Sequence, residues 1–113
     1  MSEQFVTISQ HVRNQQEASA LFGVHDAHLK RIEEELGVSI VTRGETVNVS
    51  GTPQQVQLVD ELLRHLLIVI RKGVAISERD IMYAIQMVKK GAIDGLVQLY
   101  DEEIAKNAKG KPI

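Results

Sequence analysis

The run Gly51-Thr52-Pro53-Gln54-Gln55 starts a helix that cannot stand alone. Thr52 has a side-chain oxygen suited to cap free N–H groups, Pro53 falls at the first helical position, and Gln55 completes a Thr-x-x-Gln capping box. Behind this start, Val56, Val59, Leu63, Leu66 and Ile70 recur at alternating spacings of three and four, with Leu62 and Leu67 widening the stripe. Propensity alone holds an isolated helix weakly, so a stripe this wide must pack on a sheet or on another helix.

The residues before it supply a sheet. "VSIVTRGETVNVS" reads as a hairpin, with Val38 and Ile40 on one face of its first strand, Val47 and Val49 on one face of its second, and Arg43-Gly44-Glu45 turning between them. Near the start of the chain, Val6 and Ile8 alternate with Thr7 and Ser9 and predict a third, short strand. Two helices come between. From about Asn14 to Phe22, Ala18, Leu21 and Phe22 fall at helical spacing and Gly23 ends the run; Leu29, Ile32 and Leu36 then form one stripe closed by Gly37. Asp26 is placed as the N-cap of the second helix, its carboxylate accepting from backbone N–H groups at the positive end of the helix dipole. The Glu33 to Glu35 run reads as the solvated face.

Beyond Gly73 the pattern is purely helical. Ser77 and Asp80 make a capping-box start, Ile76 and Ile81 a hydrophobic staple around it, and Ile81, Ile85 and Val88 a buried face that ends at Lys89-Lys90-Gly91. Ile93, Leu96, Val97, Tyr100 and Ile104 place one more helix. "KNAKGKPI" then has the composition of an exposed linker.

With 113 residues and 43% hydrophobic side chains, the chain has material for one compact core. It has no cysteine, hence no disulfide or thiolate metal site. "MSEQFVTISQ" lacks a basic segment followed by an apolar run, and no apolar stretch approaches the ~20 residues needed to cross a bilayer, so a cytoplasmic location without membrane contact is expected. The net charge of −2 argues against a dedicated duplex binder. Between Leu21 and Ser50 the bases are Lys30, Arg31 and Arg43, against the acids Asp26, Glu33, Glu34, Glu35 and Glu45.

The order strand, helix, helix, strand, strand, helix, with a glycine loop between the first two helices, resembles a type I KH domain from Phe5 to about Lys72. "HLKRIEEELGVSI" and "VNVSGTPQQVQLV" carry the likeness. The resemblance implies an α+β fold, a three-stranded sheet packed with helices and followed by a C-terminal helical extension. It also implies single-stranded RNA held by a GxxG loop against the helix N-terminus, with bases across an adjacent apolar groove. Here that loop is Gly23-Val24-His25-Asp26, and a carboxylate stands where the pattern has its second glycine. The expectation is a loop that keeps the shape and has largely lost the grip. Lys30, one turn from the loop, and Arg43, at the strand end bordering the groove, are the remaining nucleic-acid candidates. Arg43 reads equally well as an exposed arginine paired with Glu45.

"FGVHDAHLKRIEEELGVSI" followed by "TRG" is similar to the N-terminal part of the PhoH-like family, predicted ATPases related to phosphate-starvation-inducible proteins. That likeness covers the whole chain, and "AKGKPI" resembles the start of a connector to an ATPase domain. The implied division is a KH-like domain at 1–73, a helical extension at 74–105 and the start of a linker at 106–113. No G-x-x-x-x-G-K-[ST] occurs, so the chain by itself is expected to have no ATPase activity and no cofactor; ATP and magnesium belong to the missing domain.

Two function classes accompany this reading of an accessory domain that binds RNA weakly or positions a partner. One is a free-standing KH-type RNA-binding module, the other an oligomerisation module. His25 and His28 form H-x-x-H without a further ligand in sequence, and read as chance spacing rather than metal. His11 and His65 read as surface or half-buried histidines. Met82, Met87, Leu96, Val97 and Leu99 lie in the segment 77–105, expected to meet a protein partner, the chain's own ATPase domain or a second copy.

Overall fold

The computed structural model describes residues 5–98. Strand β1 (Val6–His11) is followed by helices α1 (Gln15–Phe22) and α2 (Ala27–Leu36), strands β2 (Ser39–Arg43) and β3 (Thr46–Gly51), and helices α3 (Pro53–Arg71) and α4 (Glu78–Lys89). The protein is α+β, with a three-stranded antiparallel sheet in the order β1-β3-β2. Among the described residues, no helix is long and apolar enough to cross a membrane.

Alternation along the strands settles which face is covered. Ile8, Val49 and Ile40 share a register row, and Val47 and Val49 are fully buried beneath α3. The opposite face is polar: Thr7 bonds Ser50 at 2.9 Å and the Ser9 hydroxyl donates to Asn48 Oδ1 at 2.6 Å. An antiparallel sheet covered on one side and solvated on the other shows this pattern.

The long helix is the keystone. Thr52 Oγ1 accepts from Gln55 N–H at 3.4 Å, and Val56, Val59, Leu62, Leu63, Leu66 and Leu67 are buried along it. The hairpin turn is tighter than expected, because Arg43 pairs with Thr46 inside the ladder and leaves Gly44-Glu45 as a two-residue loop. Asn14 caps α1, its Oδ1 accepting from Glu17 N–H at 2.9 Å. Ser77 and Asp80 form the full reciprocal box at the start of α4.

Helix α4 packs on α2 and α3, so Ile81, Ala84, Ile85, Val88, Ile93 and Leu96 join the same core as Val47 and Leu63. Arg31 bonds Glu78 at 2.9 Å and Lys89 bonds Glu35 at 3.3 Å across the α2–α4 contact. The acidic face of α2 is therefore partly a docking face. Glu33 departs furthest from a solvated role: its Oε2 accepts from the backbone N–H of Ile40 at 2.7 Å and ties α2 to the outer edge of β2.

Glu17 is buried on α1, where Arg71 from the end of α3 holds it through Nε at 2.8 Å and Nη2 at 3.2 Å while the Arg13 N–H donates at 2.8 Å. The hydrogen-bonded guanidinium outweighs the cost of burial and lowers the Glu17 carboxyl below its ordinary range. A lowered carboxyl contributes stability that is present above the unfolded value, near 4.5, and lost as pH falls through the folded value. Melting temperatures across pH for the wild type and Glu17→Gln should thus differ at neutral pH and converge in acid; a constant gap would contradict the pair's role.

Candidate nucleic-acid interface

The loop between α1 and α2 is built around a buried histidine. His28, 7% exposed, turns back under the loop and its Nδ1 donates to the Leu21 carbonyl at 3.2 Å, satisfying an acceptor in the last turn of α1. Gly23 lies directly over that ring. A Cβ on Gly23 would stand 2.7 Å from His28 Cγ, and its φ of 80° with ψ of 177° is a conformation essentially confined to glycine. The glycine is therefore required by the fold whether or not a phosphate ever approaches it. This burial separates the two histidines: His25 is exposed and His28 faces the interior, so they do not converge on an ion.

His25 and Asp26 follow with φ of 54° and 58°, two successive non-glycine residues in the left-handed region. Here the structure corrects the expected cap. An N-cap needs an extended backbone to swing its oxygen onto the next amides; Asp26 is left-handed and makes no side-chain cap bond to α2. Aspartate is among the residues that tolerate this region, and glycine adopts it freely. The backbone at position 26 is therefore one that a glycine would fit, as the pattern of the loop demands, while the exposed carboxylate remains beside the N-terminus of α2.

Val24 is 77% exposed at the crest. Lys30 is exposed on α2, and Arg43 is exposed at the end of β2. Among the described residues neither makes an ion pair, so the expected alternative of an Arg43–Glu45 pair is not observed. No hydrogen bond joins either cation to Gly23, Val24, His25 or Asp26. Arg31, by contrast, is committed to Glu78, which raises its pKa.

The other two histidines are satisfied locally. His65, half-buried on α3, donates from Nδ1 to the Glu61 carbonyl at 2.7 Å and sets Nε2 3.4 Å from Asp94; His11 Nδ1 lies 3.3 Å from the Thr46 hydroxyl. In the segment expected to meet a partner, Leu96 is fully buried, and Met82 and Met87 pack partly against the core. Leu99, Tyr100 and Ile104 lie outside the described residues.

No family model matches the chain, and no solved structure matches it significantly. A PhoH-like protein of Bacillus subtilis (strain 168) is 49% identical to it over 113 residues, the full length of the chain. The chain spans 35% of that relative's length and resembles its N-terminal region.

Proposed function

We propose that this chain is an N-terminal accessory domain of a PhoH-like ATP-binding protein, and that it presents single-stranded RNA weakly to a nucleotide-driven domain. The observation that carries the RNA part is the strand order β1-β3-β2 with α1, a four-residue glycine loop and α2 inserted between β1 and β2, the order of a type I KH domain. The first turn of α2 lacks a side-chain cap, and Lys30 and Arg43 are cations without an ion pair among the described residues. Against them stands the Asp26 carboxylate. The balance is a short-range attraction for backbone phosphate that ordinary salt largely screens.

Fluorescence anisotropy of a labelled single-stranded oligoribonucleotide across a salt series tests this. Weak binding that falls steeply with salt, and disappears in Arg43→Ala, is expected. Tight binding insensitive to salt, or binding unchanged in Arg43→Ala, would refute it. ATP and magnesium belong, on this reading, to the remainder of the longer protein, because the chain contains no phosphate-binding G-x-x-x-x-G-K-[ST] loop. Calorimetric titration of the chain with Mg-ATP should give no heat of binding, and micromolar affinity would contradict that assignment.

A further inference from the structure

Helix α4 uses its charges unevenly. Both acids of its first turn are spent within the chain: Glu78 accepts from Arg31 at 2.9 Å, and Asp80 closes the capping box with Ser77. Lys89 is spent on Glu35 at 3.3 Å. Arg79 and Lys90, by contrast, are exposed and make no ion pair among the described residues. Arg79 stands in the first turn, where the positive end of the helix dipole disfavours a cation, so the stability of α4 does not explain its place. Between the two cations the ring of Tyr83 is 50% exposed. Arg79, Tyr83, Gln86 and Lys90 follow one another at spacings of four, three and four, which sets them in one stripe on the side of α4 away from its buried face. No acid falls on that stripe, in a chain whose acids outnumber its bases.

The size and chemistry of the stripe select its occupant. From Arg79 to Lys90 it runs about 16 Å, at roughly 1.5 Å per residue, on a helix about 10 Å across. A folded protein partner needs about 800 Å² on each side, several times what this stripe offers. A narrow polyanion fits: a cation at each end meets backbone phosphates, and between them an aromatic face stacks a base beside the Gln86 amide. We propose that this stripe of α4 is a second contact for single-stranded RNA, with one base on Tyr83 and the flanking phosphates on Arg79 and Lys90. The ligand rests on the reading of the chain as an RNA-presenting domain, whereas the site is separate from the glycine loop. The Arg31–Glu78 bond sets the first turn of α4 beside the second turn of α2, and the Lys89–Glu35 bond sets its last turn beside the end of α2. The stripe therefore begins at the end of α2 that carries the loop and leads away from it.

Fluorescence anisotropy of the full chain with a labelled oligouridylate is the test, run over a salt series beside a thermal melt of each variant. Tyr83→Ala should weaken binding about five-fold or more while Tyr83→Phe retains it, because the ring and not its hydroxyl carries the stack. Arg79→Gln and Lys90→Gln should each reduce the slope of log affinity against log salt by about 0.7, the share of one phosphate contact on a single strand. Binding that is lost in Arg43→Ala but unmoved by Tyr83→Ala and Arg79→Gln would overturn this site and leave the loop reading standing. Loss in the α4 variants with Arg43→Ala unaffected would support this site and refute the loop. A wild type that binds no oligouridylate at low salt would refute both. Polyglutamate of equal charge that displaces the label as well as unlabelled oligouridylate does would assign the stripe to an acidic protein segment and overturn the proposal.

Discussion

Replacing Gly23 by alanine is expected to destabilise the fold by roughly 2–4 kcal/mol, with two separable causes. The backbone at φ 80° and ψ 177° strains any residue with a Cβ, and that Cβ would meet the His28 ring at 2.7 Å. His28 has little room to withdraw, since it is buried and bonded to the Leu21 carbonyl. Chemical denaturation of Gly23→Ala, His28→Ala and the double variant separates the causes. The ring clash should vanish in the double variant, which should then be more stable than the sum of the single losses implies, while the backbone strain remains. Strict additivity would show that the glycine and the histidine do not meet.

Leu63→Ala should cost about 2–5 kcal/mol, because the side chain is fully buried and the cavity it leaves is bounded by elements that cannot all close in. Helix α3 touches β1, β3, α1, α2 and α4, so a void along it is shared by every layer. For a domain of this size such a loss is a large part of a total stability of about 5–15 kcal/mol. A urea midpoint that does not move would show that the stripe beginning at Val56 is not the core.

Much of this architecture was legible because it rests on local patterns. The period of Val56 to Ile70, the Thr52-Pro53 start, the Ser77–Asp80 box and the alternation in the hairpin each act within a few residues, and the structure reproduces them. What escaped the sequence depends on pairs far apart. Glu17 reads as one more polar residue on a short helix; only the return of α3 brings Arg71, 54 positions away, onto it. His28 reads as half of a metal-like spacing until the reversal of the chain at Gly23 folds it inward. Glu33 reads as one of three solvated acids until β2 runs past it.

The candidate site is legible in the sequence by position: Gly23 to Asp26 stand at the junction of two helices there and in the structure. The capping bond expected of the Asp26 carboxylate is one that a left-handed residue does not make. A residue's φ is not written in its type, and aspartate is at home in both roles. The difference reverses a sign: a glycine at position 26 forfeits no cap bond and relieves backbone strain of ~1 kcal/mol, offset by the entropy that glycine adds to the unfolded chain.

Asp26→Gly, compared with the wild type by RNA anisotropy at physiological salt and by thermal melt, is accordingly the most direct test of the claim that this carboxylate sets the weakness of the loop. A unit negative charge about 4 Å from a phosphate in water opposes binding by ~1 kcal/mol, so the account predicts RNA affinity raised about five-fold with a melting temperature equal to or above that of the wild type. Weaker RNA binding by a variant that melts normally would mean that the Asp26 carboxylate takes part in recognition, and would contradict the account.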